Sequence, residues 1–233
     1  RYCSRLNRQL HQLRKLSRHN EFGCGVKDDA TRLSQETKNR IKESLRSVQK
    51  IKESIMARLS VVTYENADDT IKKTYDTIQS KFGMVPNIFK GMANSPVALT
   101  AYLKLDELIA GGNFTPVEQD VVRMVVSQYN GCQYCVAAHT MGLGGKGLGA
   151  EEIIAVRKGK SADPKLSALI AFTQNVLETK GCVSNEDLNA FRGAGYTDTH
   201  AAEINVIIAQ KTLSNLFNHI NATDLDLPAA PAI

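Results

Sequence analysis

Two cysteines and a histidine, in the run Cys132-Gln-Tyr-Cys135-Val-Ala-Ala-His139, are the residues of this chain best suited to chemistry. On an α-helix, positions i, i+3 and i+7 return to one face, so both sulfurs and the imidazole point the same way. Side chains three apart have Cβ atoms at roughly 5–6 Å, a small adjustment from disulfide geometry. A cysteine near a helix N-terminus feels the positive end of the dipole, which favours the thiolate. A histidine one turn beyond can exchange a proton with it near neutral pH. Such a set suits attack on an electrophilic sulfur or a peroxide oxygen, followed by closure of a disulfide. Two other uses stay open. One is zinc, although a structural site takes four ligands and the chain has no second CxxC or HxxxH pair. The other is a pair of cysteines packed as small hydrophobes beside a hydrogen-bonded histidine.

The segments around this run read as helices. Asn66-Ala-Asp-Asp69 offers a cap to a helix carrying Ile71, Tyr75 and Ile78, with Gly83 as its stop. Pro96 opens a stretch with Leu99, Tyr102, Leu103 and Leu108 that ends at Gly111-Gly112. Thr115-Pro116-Val117-Glu118 combines a capping-box Thr and Glu with Pro at the first helical position. The helix it starts carries Val117, Val121, Val122, Met124 and Val125 and stops near Asn130-Gly131, and the next begins about Cys132. Further starts lie at Ala150-Glu151-Glu152, Asp163-Pro164, Ser184–Asp187 and Thr197. The last helix is long, with Ile204, Val206, Ile207, Ile208, Leu213, Leu216 and Phe217 as its apolar residues. Apart from the short run Leu59–Val62 there is no alternating β-branched strand. The expected fold class is all-α. The segment Gly142-Leu-Gly144-Gly145-Lys-Gly147 fits a dinucleotide fingerprint by letters, but a helix precedes it where the fingerprint needs a strand. It is expected to be a flexible linker between helices.

The stretch from Val117 through Cys132-Gln-Tyr-Cys135 to His139-Thr140 resembles the signature of the carboxymuconolactone decarboxylase/alkylhydroperoxidase D superfamily, in its peroxidase-related branch. The resemblance covers most of 56–233, with Val85-Pro-Asn-Ile-Phe before the signature and Gly195-Tyr196, Asn215-Leu-Phe-Asn-His219 and Leu225-Asp226 after it. It implies an alkylhydroperoxidase D-like helical bundle that assembles into trimers or hexamers. It implies a peroxidase or disulfide-reductase reaction with a thiol electron donor and no metal or organic cofactor. By position, Cys135 would be the thiol oxidised to sulfenic acid, Cys132 its disulfide-forming partner and proton donor, and His139 the relay base. The family's relay glutamate falls twelve residues before the first motif cysteine, which here is Asp120, one methylene shorter. Glu118 sits nearer the apolar face and reads as the capping-box acid. Tyr134 stands where the best-studied members have a histidine. A decarboxylase-type relative and a non-enzymatic redox-sensing oligomer are the competing functions; the superfamily's decarboxylases do not depend on a CxxC pair. His219 reads as a surface histidine at a helix C-terminus, and Cys3, Cys24 and Cys182 as incidental thiols.

Charge divides the 233 residues. Residues 1–55 hold 14 Lys/Arg against 6 Asp/Glu, and residues 56–233 hold 15 against 18, so a basic arm precedes a mildly acidic body. In the arm, Leu6, Leu10, Leu13 and Leu16 recur at helical spacing among arginines, and a second stripe runs Ile41, Leu45, Val48, Ile51, Ile55, Leu59. This predicts an amphipathic helical extension, with a fusion or upstream extension, a targeting segment and a polyanion-binding arm as alternatives. The start at Arg1 reads as a trimmed, partial or engineered terminus, and Met56-Ala-Arg-Leu resembles a protein start. One aromatic, Tyr2, in the first 20 residues gives no stacking platform for single-stranded nucleic acid, so nucleic acid is not an expected partner. No apolar run approaches the roughly 20 residues of a membrane helix. Five cysteines, an odd and sparse set, point to a reducing, cytoplasmic setting rather than a secreted disulfide scaffold.

Overall fold

The computed structural model describes residues 57–233, together with Asn39 and Glu43, both helical. Chain contacts divide it into units 1–52 and 53–233. The basic arm and nearly all of its stripes lie outside the described residues. The stripe's last member, Leu59, does not continue a helix: Ala57–Val62 is irregular. Its backbone N–H groups are used elsewhere, Arg58 N donating to Asn221 O at 2.7 Å, Leu59 N to Asn221 Oδ1 at 3.0 Å and Val62 N to Lys90 O at 3.2 Å.

Residues 57–233 carry nine helices and no strands: α1 (Asp69–Phe82), α2 (Asn87–Met92), α3 (Pro96–Ala110), α4 (Pro116–Tyr129), α5 (Gln133–Gly145), α6 (Ala150–Arg157), α7 (Pro164–Thr179), α8 (Asn185–Gly193) and α9 (Asp198–Asn221). The fold is all-α. The starts follow local chemistry. Asp68 accepts from Ile71 N, Ser95 from Ala98 N, and Asp163 from Lys165 N and Leu166 N. Thr115 with Glu118 and Ser184 with Asp187 form complete capping boxes. Gly83 ends α1 at φ 75°, a left-handed conformation that glycine adopts without a Cβ penalty. The six-residue α2 is an addition to the sequence reading, which left Val85-Pro-Asn-Ile-Phe without an element.

Helix α4 is central and packs against α5, α6, α7 and α9. Its residues 118–122 and 124–127 are all buried, and each of the fully covered valines contributes about 1.5–3 kcal/mol of burial energy. One apolar cluster gathers α4, α6, α7, α8 and the first half of α9; a second gathers α1, α2 and Leu99 and takes in Cys132, Tyr134 and Cys135. Helix α9 spans both and touches α2, α3, α4 and α5. Its second half departs from the expected apolar stripe. Leu216 is exposed, as is Val206 in the first half, whereas Gln210, Lys211, Ser214, Asn215, Asn218 and Asn221 are buried. These recur at helical spacing, so the inward face of this half of α9 is polar.

Candidate functional site

The two motif cysteines occupy the start of α5. Cys132 is its N-cap, in extended conformation, and Cys135 is the third residue of the helix. The motif is therefore not wholly helical: its first cysteine stands just outside the first turn. Both thiols are unbridged and buried, at 1% and 3% exposure. Asn218 Nδ2 reaches both sulfurs, Cys135 Sγ at 3.2 Å and Cys132 Sγ at 3.7 Å, and Ser214 Oγ lies 3.9 Å from Cys135 Sγ. The two thiols are unequal. A hydrogen bond from the Cys132 thiol holds Cys135 well below the ordinary thiol value despite its burial, and the Lys211 charge adds to this. The same hydrogen bond, with burial, pushes Cys132 up. Of the two, Cys135 is therefore the sulfur that ionises more readily and Cys132 the one that holds its proton more tightly.

One turn beyond, His139 Nδ1 lies 3.4 Å from Asp120 Oδ1 on α4. Asp120 also meets Lys146 Nζ at 2.6 Å and Arg123 Nη1 at 3.3 Å, and Arg123 Nη2 continues to Asp106 on α3 at 2.9 Å. Burial opposes charge on Asp120, but His139 and Lys146 outweigh it and keep the carboxyl far below the usual carboxylate range. Burial, assisted by the nearby Lys211 charge, lowers the His139 pKa. A neutral imidazole with Nδ1 on a carboxylate carries its proton there and leaves Nε2 as an acceptor. That Nε2 is buried and has no hydrogen-bond partner.

Asp120 reaches this position because α4 and α5 approach closely. A Cβ on Gly142 would stand 2.7 Å from Asp120 Oδ2. The glycine-rich segment is thus not a linker: Gly142, Gly144 and Gly145 continue α5, and Gly142 makes room for the carboxylate. Glu118 points elsewhere. Its Oε2 accepts from Thr115 N and Oγ1, both at 2.8 Å, and its Oε1 meets Tyr196 OH and Lys165 Nζ, both at 3.0 Å. Tyr134 turns away from the histidine–carboxylate pair; its hydroxyl donates to Asp226 Oδ1 at 2.7 Å, and Asp226 Oδ2 also accepts from Asn87 N at 2.8 Å. His219 is exposed on the last turn of α9, and Cys182 is exposed. Cys3 and Cys24 lie outside the described residues.

The sequence reading gave no site role to Lys211, Ser214, Asn215 or Asn218, which α9 brings to the sulfurs, although Asn215 and Asn218 fall in a stretch quoted for the resemblance. The signal that could have found them is a polar stripe at helical spacing inside a helix otherwise rich in Ile and Leu. Among the described residues, no group of three or more His, Cys, Asp or Glu side chains is arranged to hold a metal ion. No described helix is long and apolar enough to cross a membrane.

An all-helical domain with a cysteine pair at the N-terminus of a helix packed on a central one is the class defined by fold and site. Residues 96–175 match the carboxymuconolactone decarboxylase family, and the chain is similar to an alkylhydroperoxidase D-like, peroxidase-related protein of solved structure. The alkylhydroperoxidase AhpD core structure of a peroxidase-related protein from Ralstonia eutropha JMP134 is 26% identical, with a TM-score of 0.68 over 73% of this chain and 93% of that one. A peroxidase-related protein from Silicibacter sp. TM1040 shares 21% identity and a TM-score of 0.62 over 67% and 84% of the two chains. The debrominase Bmp8 shares 20% identity and a TM-score of 0.60 over 75% and 94%. The last two likenesses are of fold. No curated protein sequence matches the chain.

Proposed function

We propose that this protein is a thiol-dependent hydroperoxide reductase or disulfide oxidoreductase working through Cys132 and Cys135. The observation that carries the reading is the placement of the two sulfurs: Cys132 at the N-cap and Cys135 in the first turn of α5, both buried and both touched by Asn218 Nδ2, with Cys135 depressed and Cys132 raised in pKa. In the peroxide reaction the Cys135 thiolate attacks the distal peroxide oxygen. The S–O bond forms, the O–O bond breaks, and the leaving alkoxide takes a proton from the Cys132 thiol. Cys135 is then a sulfenic acid and Cys132 a thiolate. Attack of Cys132 on the Cys135 sulfur forms the disulfide and expels hydroxide, which leaves as water once protonated. His139, with Nδ1–H on Asp120 and Nε2 free, is the group that moves these protons. An external thiol returns the pair to its reduced state by exchange. No metal or organic cofactor is needed.

The resemblance also supports a homo-oligomer, trimeric or hexameric. Val97, Leu108, Leu216 and Ile220 are exposed apolar side chains on α3 and α9, at 78%, 61%, 53% and 62%, and symmetric association is the usual way to cover such surface. Residues 1–55 are proposed as an appended arm rather than part of the reacting body.

The test is hydroperoxide consumption in the presence of a thiol donor, comparing the natural sequence with Cys135→Ser. Turnover that falls to the uncatalysed rate, with helicity and oligomeric state unchanged, supports a redox enzyme. Unchanged turnover removes Cys135 from the chemistry. Absence of turnover with any hydroperoxide or disulfide, in a chain that still assembles, favours the non-enzymatic reading.

A further inference from the structure

The geometry points to Lys211 as the buried counter-ion that holds Cys135 in its thiolate form, a positioning residue for the thiol chemistry on whose assignment this inference rests. Lys211 lies on the polar face of α9 at 2% exposure. Its Nζ lies 3.5 Å from the Tyr102 hydroxyl and 5.7 Å from that ring's centre. None of the ion pairs among the described residues includes it. A buried ammonium without an anion would lose its proton. Burial does oppose its charge, but Tyr102 and Cys135 outweigh burial and hold Lys211 above the usual lysine value.

The carboxylates near the sulfur are already taken. Arg123 on α4 is taken by Asp106 and Asp120, and Lys146 by Asp120. Lys81, which also meets Asp106, is largely solvent-exposed. Arg123 is thus matched by Asp106 and Asp120, Lys146 reaches Asp120 from a solvent-exposed position, and Lys211 is the buried cation with no carboxylate. His139 on the same helix as Cys135 stays neutral, and Tyr134 is held by Asp226 on the C-terminal segment. A negative charge on Cys135 would give Lys211 the anion that no carboxylate supplies.

The connection is short. Ser214 Oγ donates to the Lys211 carbonyl at 2.9 Å and stands 3.9 Å from Cys135 Sγ, while Asn218, two turns along the same face, reaches that sulfur. The helix that contributes Lys211 therefore also supplies the polar contacts of the thiolate. A hydrogen bond from Cys132 alone would leave the sulfur's charge to be carried in an apolar cluster; the ammonium makes that charge sustainable at depth.

The test is the ultraviolet absorbance of the thiolate against pH in the full reduced chain, with Cys135→Ser as the blank. In the natural sequence the Cys135 band persists at neutral pH. In Lys211→Met it is largely lost, by about tenfold or more, and returns only at higher pH; Lys211→Arg restores it. Superimposable profiles for the natural sequence and Lys211→Met overturn the inference, as does a Lys211→Arg profile displaced as far as that of Lys211→Met. A purely structural lysine would lower the melting temperature without moving the profile. Should Lys211→Met fail to fold, NMR titration of the Lys211 side chain gives the reciprocal measurement. Its midpoint falls in Cys135→Ser relative to the natural sequence, and an unmoved midpoint overturns the inference. Neither readout uses peroxide, so a chain that passes both and still turns over no substrate contradicts the proposed function and leaves the counter-ion standing.

Discussion

Helix α4 sends two buried carboxylates, Glu118 and Asp120, to two different regions of the molecule. Two residues on a helix are about 200° apart, so one looks toward the α7–α8 end and the other toward α5. At the first end Glu118 accepts from Thr115, Tyr196 and Lys165, beneath the stacked rings of Phe172, Phe191 and Tyr196 with His200 edge-on. Both of its oxygens are engaged, and the partners are caps and aromatic packing. At the second end Asp120 meets His139, whose other nitrogen is buried and unpartnered, in a region that also holds two thiols whose pKa values are shifted in opposite directions. A carboxylate, a lysine and a histidine occur at both ends. What separates structure from chemistry is the acceptor left unused and the sulfur it can serve.

The comparison predicts that substitutions at the α5 end act on rate and those at the α7–α8 end on stability. The largest effect is expected for His139→Ala, which removes the acid–base group and slows peroxide reduction by about 10²–10⁴-fold; circular dichroism checks that the fold persists. A wild-type rate would detach the histidine from the reaction. Asp120→Asn keeps the shape but no longer holds the Nδ1 proton by charge. A drop of about tenfold or more in turnover is expected, and Glu118→Gln should leave turnover alone. If Glu118→Gln costs more rate than Asp120→Asn, the division between the two carboxylates is wrong.

Gly142→Ala sharpens the same point from a distance. The added methyl meets Asp120 Oδ2, so either the carboxylate leaves His139 or α5 moves off α4. Overpacking of this kind costs about 1–3 kcal/mol, read by thermal or denaturant unfolding, and a fall in turnover accompanies it. The smallest effect is that of Glu118→Gln on unfolding, about 0.5–2 kcal/mol for a weakened cap.

Acid separates the regions as well. The folded-state pKa values of His139, Asp120 and Glu118 are all depressed. Each therefore contributes stability that is present above its unfolded value and lost as pH falls toward its folded one. His139 begins to act below the ordinary histidine range of about 6.5 and the carboxylates only below about 4. A first loss of stability between those values should be absent from His139→Ala in unfolding titrations, and present in Glu118→Gln.

How much of this was legible in the sequence depends on how local the cause is. The starts of α1, α3, α4, α7 and α8 follow from Asp68, Ser95-Pro96, Thr115-Pro116-Glu118, Asp163-Pro164 and Ser184–Asp187, each satisfied within three residues of itself. The spacing of Cys132, Cys135 and His139 was likewise visible. Helix α2 was not, because Pro86 and Asn87 read as loop and the element is only six residues long. Nor was the orientation of α9's second half, since apolar counting turned Leu216 inward. Its true inner face is set by groups far away in the chain: Cys132 and Cys135 for Asn218, Asp106 for Gln210, Ser127 for Asn215. Gly142 was misread for the same reason, its cause being a carboxylate on another helix.

The central claim is that Cys132 and Cys135 form one reversible redox pair. It is tested most directly by treating the full reduced chain with one equivalent of hydroperoxide, alkylating, and determining the intact mass and cysteine peptides by mass spectrometry. The account predicts the loss of one pair of hydrogens, with Cys132 and Cys135 both protected from alkylation and both recovered by a thiol reductant, while exposed Cys182 stays alkylatable. Cys132 and Cys135 still alkylated in full, with oxidation confined to Cys182 or absent, would contradict it.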